Sequence, residues 1–522
     1  MNEEIEEYYE ELYRLYIDEN QPLERRYRQL RESLERVVRE KIQGNSLQTT
    51  DLAARINYVA TQYGLDLKEQ NQLHTFRLTS NDILNHRKSP VKEEFLCDLR
   101  AVAYAYRKMF AQDIPLKLFS VLPKQEIASS GKKEKMEYIR RIRVCFDYAD
   151  DTYLYVHPVD VTADEPIRVV YNKPGINHEF EETIKELWRY AQLNLLDVSV
   201  DRDGIYTPSF IVLEPDYLID ISSLAECYKD YGSHPANYFL SRLVPIDNAR
   251  PLLLGNIANL FLDEWIHAGE EEPDYIDCMK KAFRQYPIEL AACAELRDPS
   301  KEKEFAKDCR MHFEHIRDVV QHTFLEPGYN LDKKEAVLEP SYICEALGIQ
   351  GRLDYMQRDM SSFIEMKSGK ADEFSMQGKV EPKENNKVQM LLYMAVLEYS
   401  MGQDRRRMHP YLLYTRYPLL YPARASWAQV RRVINLRNRI VAAEYGVQFH
   451  NHPDFTRNLL AQINPEVVNE RKLSGRFWEQ YLKPSISRFR EKLSALEPLE
   501  QAYFYTLYNF ITKELYTSKS GD

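Results

Sequence analysis

Five consecutive residues, Phe363-Ile364-Glu365-Met366-Lys367, constrain this chain more than any other stretch. Read as a strand, they send successive side chains to opposite faces, so Phe363, Glu365 and Lys367 share one face while Ile364 and Met366 share the other. Glu365 and Lys367 therefore point the same way. Eleven positions before Glu365 stands Asp354, in Gly351-Arg352-Leu353-Asp354-Tyr355, which reads as a second short strand. If the two strands pair, Asp354 lies beside Glu365 and Lys367.

Two carboxylates and an ammonium at one spot suit the metal-assisted attack of water on a phosphodiester. Hard dications such as Mg²⁺ take oxygen ligands and keep several waters, so one or two carboxylates hold them. The metal polarises a phosphoryl oxygen and lowers the pKa of a bound water, and a nearby lysine stabilises developing charge. The same three residue types also form ordinary ion-pair ladders on solvated strands, so the neighbouring sequence has to decide between the two.

About twenty residues on, Gln389 and Tyr393 sit at i and i+4 in a segment whose apolar residues Val388, Leu391, Leu392, Ala395 and Tyr399 have helical spacing. Another strand-like run, Tyr411-Leu412-Leu413-Tyr414, follows. The predicted order is strand with Asp, strand with Glu-x-Lys, helix with Gln-x-x-x-Tyr, strand. At Leu347-Gly348-Ile349-Gln350-Gly351-Arg352-Leu353-Asp354, Glu365-Met366-Lys367-Ser368-Gly369-Lys370, Gln389 and Tyr393, the chain resembles the RecB-like branch of the PD-(D/E)XK nucleases. It is most similar to the nuclease domains of replication helicase-nucleases and CRISPR adaptation nucleases. Upstream, Leu254 to Asp263 looks like that family's first-motif helix. The resemblance covers about residues 250 to 420.

It implies an α/β, restriction-endonuclease-like core with Asp354, Glu365, Lys367, Gln389 and Tyr393 as its catalytic set. Asp354, Glu365, the Met366 carbonyl and Asn259 would hold Mg²⁺ or Mn²⁺, Lys367 would assist the water or the transition state, and Gln389 and Tyr393 would position the substrate strand. The sequence departs from the family in two places. Where the family's first-motif helix usually carries histidine, this chain has Asn259, a weaker ligand for a hard cation, and Asp263 one turn on could substitute. Many relatives also hold a [4Fe-4S] cluster with one cysteine before the core and three after it. Here no cysteine follows Cys344 and there is no CxxC, so no iron-sulfur cluster is expected.

The 522 residues suffice for two to four domains, and 44% hydrophobic with 29% charged residues describes a chain able to bury sizeable cores. No run approaches the ~20 apolar residues of a membrane span, and the acidic start is unlike a signal peptide, so a cytoplasmic protein without membrane contact is expected. Seven scattered cysteines fit reduced thiols. The net charge of -11 runs against nucleic-acid binding, but between Arg405 and Arg439 lie nine arginines and no acidic residue. Arg405, Arg406, Arg407 and Arg416, interleaved with Tyr421 and other rings, are the candidate nucleic-acid contacts; a core strand and a solvated helix face are the alternative for this segment.

In chain order, residues 1–48 read as helix, with Leu23, Tyr27, Leu30, Leu34 and Val37 as its buried seam. After a turn at Gly44-Asn45-Ser46, Leu52, Ile56, Val59 and Ala60 mark another helix face. Thr79-Ser80-Asn81-Asp82 reads as a capped helix start, and Glu94 to Phe110 as helix. Ser129 to Lys133 is an expected loop. Strand patterns follow around Ile142 to Phe146, Thr152 to Val156, Ile167 to Tyr171 and Phe210 to Leu213, with a helix expected from Phe180 to Leu195. This makes a small β-rich module, for which an OB-like barrel is one reading; it would either bind single strands or buttress the nuclease. His312 and His315 have a helical metal spacing but no completing ligands, and read as surface or core histidines.

The expected domains are a helical region at 1–128, the β-rich module at 129–235, the nuclease core at 236–465 with a helical insertion at about 274–325, and a helical region at 466–522. The expected function is metal-dependent DNA hydrolysis on single-stranded or flapped DNA, in repair, replication or defence. The alternative is a nucleic-acid-binding scaffold with a weak or inactive nuclease fold. No P-loop occurs, and since similar nucleases are commonly fused to or assembled with a helicase, the resemblance implies a helicase partner, fused or separate.

Overall fold

The structure, a computed structural model, describes residues 2–42, 52–86, 88–123, 137–160, 166–201, 203–243, 250–329, 331–374, 379–423, 426–450 and 452–520. The expected turn at Gly44 to Ser46 and loop at Ser129 to Lys133 lie outside these residues. The chain divides into two compact units, Met1–Lys135 and Met136–Asp522.

The first unit is helical, with long helices at Asn2–Ile17, Leu23–Lys41, Leu52–Gln62, Leu67–Leu84 and Lys92–Phe110. Of the expected seam, Tyr27, Leu30, Leu34 and Val37 are fully buried and share one core with Ile56, Phe76, Phe95 and Tyr106. The helix therefore packs within its own unit, as its short apolar repeat implies. Thr79 to Asp82 is not a helix start. The helix begins at Asp66, whose side chain accepts from Glu69 N–H while the Glu69 side chain accepts from Asp66 N–H, a reciprocal pairing that fixes the first turn. Ser80 then turns its hydroxyl back to the Arg77 carbonyl inside the helix instead of capping a new one.

The second unit opens with strands Glu137–Ala149, Tyr153–Pro158, Ile167–Val170, Gln192–Val200, Ile205–Thr207 and Phe210–Leu213. The first pairs antiparallel with the second, and the second with the third; the third runs parallel to the fifth, the fifth antiparallel to the fourth, and the fourth antiparallel to the first. Five strands thus close into a ring, and Phe210–Leu213 adds to the fourth. Alternate residues fill its interior, among them Val144, Leu154, Val156, Val169, Leu193 and Leu195. The helix expected over Phe180 to Leu195 is only a short turn, His178–Phe180 and Glu181–Lys185. Tyr190 adopts a left-handed φ of 71° and donates its N–H to the Phe146 carbonyl, which ends the turn and starts the strand.

A five-stranded mixed sheet carries the candidate site, in the order Leu419–Pro422, His409–Tyr414, Ser362–Lys367, Tyr355–Gln357, Ala336–Leu338. Ser362–Lys367 is antiparallel to Tyr355–Gln357 and parallel to His409–Tyr414, the parallel step being made by the helix Glu384–Met401. Strand parity decides the layering. Phe363 joins the core with Val388 and Leu392 of that helix, while Ile364 and Met366 join a second core built from the helices Arg250–His267 and Pro299–Gln321. Both faces are covered, and burial of each such side chain contributes about 1.5–3 kcal/mol. Among the described residues no helix is long and apolar enough to cross a membrane.

Arg437, in the helix Trp427–His450, ties these parts together. Its guanidinium is fully buried and donates to the carbonyls of Leu213, Glu214, Tyr217 and Gly348. Burial pushes its pKa down to about 10. Gly348 has a φ of +65°, and a Cβ there would run into the guanidinium. Gly348→Ala should therefore cost about 2 kcal/mol or more through backbone strain and collision. Arg437→Met, which removes the guanidinium from the Leu213 and Tyr217 carbonyls while those of Gly348 and Glu214 keep the N–H groups of Ile219 and Tyr217, should cost about 3–5 kcal/mol. Urea unfolding of the two variants checks this, and an unchanged midpoint for Arg437→Met would refute the role given to the guanidinium.

Candidate active site

The short strands bring the three charged residues together. Asp354 lies in the two-residue gap between strands Ile349–Arg352 and Tyr355–Gln357, just before the second of these and not within it. The register Tyr355↔Ile364 carries Asp354 to the neighbouring strand, where its Oδ2 accepts the Met366 N–H at 2.6 Å. The bond fixes the carboxylate at the end of the ladder. On that strand the carbonyls of Ser361 and Lys367 accept from His409 and Thr415 of the parallel neighbour. The N–H and C=O of one strand residue point to the same side, so the Met366 carbonyl is turned towards Asp354.

Glu365 and Lys367 meet on the opposite face of the sheet from Ile364 and Met366, under the helix Glu384–Met401. Lys367 Nζ donates to Glu365 Oε1 and to Gln389 Oε1, both at 2.9 Å, and Gln389 Nε2 donates to the same Glu365 oxygen at 2.6 Å. The three side chains close a triangle. It occupies Glu365 Oε1 twice and leaves Glu365 Oε2 buried with no hydrogen-bond partner, in a residue only 3% exposed. An ionised buried oxygen without a partner is costly. Burial first, and the charge of Asp354 second, accordingly push the Glu365 pKa up to about 8, and burial also raises that of Asp354. Burial works against the Lys367 ammonium, but Glu365 and Asp354 more than offset it and raise its pKa.

Tyr393, one turn after Gln389, donates its hydroxyl to the Arg352 carbonyl at 2.6 Å and so holds the backbone two residues before Asp354. The approach needs Gly351, where a Cβ would stand 3.1 Å from the Tyr393 ring and hydroxyl. The helix Arg250–His267 lines the other side: Gly255 faces Ser368, and two turns on Asp263 has its pKa raised to about 6, by burial and then by the charges of Glu339 and Asp354. Asn259, at i+4 from one and i−4 from the other, is half-buried on the same helix face.

The sequence reading missed Glu339. The register Tyr355↔Leu338 sets it opposite Asp354, its N–H donates to the Asp354 carbonyl at 3.1 Å, and its carboxylate pairs with Arg352 at 3.1 Å. No spacing in the sequence marks it, because only strand pairing brings it there. Its left-handed φ of 49° shows a backbone held in place by that register.

The arginine-rich segment is not brought to this site as a unit. Ser362 pairs with His409 and Lys367 with Tyr414, so Arg405, Arg406 and Arg407 sit at the far end of the sheet, about 17 Å along the strands. Arg405 lies over the Trp427 ring, Arg406 pairs with Asp404 at 2.8 Å, and Arg407 is exposed. Arg416, half-buried, follows Thr415 at the carboxylate end. Tyr421 opposes Leu412 in the sheet, with its ring edge-on to Tyr414. Arg431 is buried against Glu179 at 3.0 Å and Arg437 is the buried clamp, so neither faces solvent. His312 is fully buried, its pKa pushed down to about 4, and His315 pairs with the Thr415 carbonyl.

The donors suit a hard dication: one unpartnered buried carboxylate oxygen, a second carboxylate beside it, and a backbone carbonyl. Among the described residues no group of three or more His, Cys, Asp or Glu side chains forms a ligand set, so the carbonyl and solvent would complete the sphere. In comparisons with known proteins, the chain matches no family model and no curated sequence.

The raised carboxylate pKa gives a signed prediction. Between about 4.5, the Glu365 value when unfolded, and about 8, the folded protein binds a proton that the unfolded chain releases, so stability falls as pH rises. Without divalent cations, melting temperature should decline from pH 6 to pH 8, and Glu365→Gln should flatten the decline. An equally steep slope in that variant would assign the proton elsewhere.

Proposed function

We propose that this protein is a metal-dependent nuclease that hydrolyses phosphodiester bonds in DNA, single-stranded or branched. The observation that carries the reading is Glu365 Oε2, a buried carboxylate oxygen with no partner beside Asp354 and Lys367. The order helix, three antiparallel strands, helix, parallel strand supports a restriction-endonuclease-like core. The ring of strands, with a short helix between the third and the fourth, supports an OB-like module.

Asp354, Glu365 and the Met366 carbonyl would hold Mg²⁺ or Mn²⁺, with Asn259 or Asp263 reaching from the helix. When bound there, the cation supplies Lewis-acid polarisation of the phosphate and a lowered pKa for water. Lys367 presents a fixed ammonium to the oxygens that gain charge in the transition state. Gln389 holds both partners of the ion pair, and Tyr393 fixes the backbone entering Asp354. Arg416, at the carboxylate end of the sheet, would meet a phosphate of the substrate strand. A helicase, fused or separate, would supply the motor, and the cytoplasm is the compartment this reading favours. The competing reading, a nucleic-acid-binding scaffold, draws on Asn259, whose amide is a weaker ligand than the histidine usual in similar nucleases.

Cleavage of end-labelled DNA with and without Mn²⁺ tests the proposal. Asp354→Ala and Glu365→Ala should each weaken Mn²⁺ binding in calorimetry and abolish cleavage. Lys367→Ala should keep metal and DNA while cleavage falls about 10² to 10³-fold. Asn259→His should change metal preference or raise the rate if that position ligates. Wild-type cleavage by a folded Asp354→Ala, Lys367→Ala double variant would sink the assignment.

A further inference from the structure

The ring of strands carries a second surface that the carboxylate site does not use. Along Tyr153–Pro158, the even positions Leu154 and Val156 fill the interior, so Tyr153, Tyr155 and His157 face outward. Tyr148 on the first strand opposes Tyr155, and their rings stack at 4.2 Å with planes 13° apart. Tyr148 is nonetheless 50% exposed, so the outer face of the stack is open to solvent. On the third strand, exposed Arg168 places its guanidinium 5.7 Å from the Tyr153 ring, and Tyr153 meets Tyr155 edge to face. Beyond the first strand, Arg189 lies over Tyr190, which is 65% exposed. These rings are not packed on the core, unlike Tyr171 and Tyr206 of the same module.

The carboxylates among these rings are mostly engaged by neighbours, and the Arg168 guanidinium keeps its charge while donating to the Asp203 carbonyl at 3.1 Å. Asp147 is held by Arg189 at 2.9 Å and faces His157 at 3.6 Å. Asp150 is taken up by the hairpin, accepting the N–H groups of Thr152 and Tyr153 and the hydroxyl of Tyr155. Asp151 remains at the tip of the hairpin, past the rings. What faces solvent between the two ends is a run of aromatic rings with a guanidinium at each end. Rings offer sequence-tolerant stacking and guanidiniums bind phosphate, the combination that single strands require.

We propose that Tyr148, Tyr153, Tyr155 and Arg168 form a binding site for single-stranded nucleic acid, with a base stacked on the open face of the Tyr148–Tyr155 pair and a phosphate held by Arg168. The proposal stands on the barrel and not on the carboxylates, so it survives or fails separately from the nuclease reading. The full chain, kept in EDTA so that nothing is cut, is titrated against labelled oligothymidylate of about 16 nucleotides, with oligouridylate in a parallel arm. Tyr148→Ala, Tyr155→Ala together should weaken binding about 10- to 100-fold with an unchanged circular dichroism spectrum. Tyr148→Phe, Tyr155→Phe should retain it, since the rings stay. Arg168→Gln should lower the salt slope by about 0.7, the loss of one phosphate contact. The Asp354→Ala, Lys367→Ala chain should bind as the wild type does. A wild type that binds neither oligonucleotide, or a folded alanine pair that binds as well as the wild type, overturns the proposal and makes the aromatic face a protein-docking or hairpin-stabilising surface.

Discussion

The buried guanidinium of Arg437 holds together the parts on which the site depends. A charge in a dry interior persists only when its donors are satisfied, and here carbonyls do this where a carboxylate would be usual. Those carbonyls come from the end of the strand added to the ring, the turn after it, and Gly348 at the entrance to Ile349–Arg352. Asn438 extends the clamp, donating to the Ile211 carbonyl and accepting the Leu213 N–H. The module and the strand leading to Asp354 are thereby fixed to one helix. An arginine so placed has a structural task, since its planar fork serves several backbone acceptors at once where an exposed one would serve phosphate.

From that anchor the site follows by short mechanical steps. Tyr393 grips the backbone at Arg352, Asp354 bonds across to Met366, and strand parity then turns Glu365 and Lys367 beneath Gln389. Each step is a hydrogen bond between rigid elements, and chemistry that depends on sub-ångström placement needs such supports. The triangle of Glu365, Lys367 and Gln389 has a cost. By directing both donors to one carboxylate oxygen, it strands the other in a dry pocket and raises the pKa of the whole group. That oxygen lacks the partner a buried carboxylate needs, so the triangle destabilises the charged form locally.

Around this centre Asp263, Glu339, Asp354 and Glu365 interact through their charges, with Lys367 and Arg352 as the cations among them. The outer face of the barrel has the opposite character, with its carboxylates engaged by partners and its rings exposed. One chain thus carries an acidic, buried centre and an aromatic, guanidinium-edged surface.

The sequence by itself determined the periodic elements and their faces. The alternation at Phe363 to Lys367, the i, i+4 pair Gln389 and Tyr393, and the seam from Tyr27 to Val37 all occupy the faces that their spacing dictates, because strand and helix periods are local properties of the backbone. It did not determine where a polar string caps a helix, since Thr79 to Asp82 lost to the reciprocal bonds at Asp66 and Glu69, nor that the segment after Lys185 turns into a strand. Tertiary structure alone decided that Glu339 stands beside Asp354, that Arg431 and Arg437 lie inside while Arg407 lies outside, and that Glu365 keeps one oxygen without a partner. Those outcomes depend on register and on contacts between residues far apart in the chain, which no local period encodes.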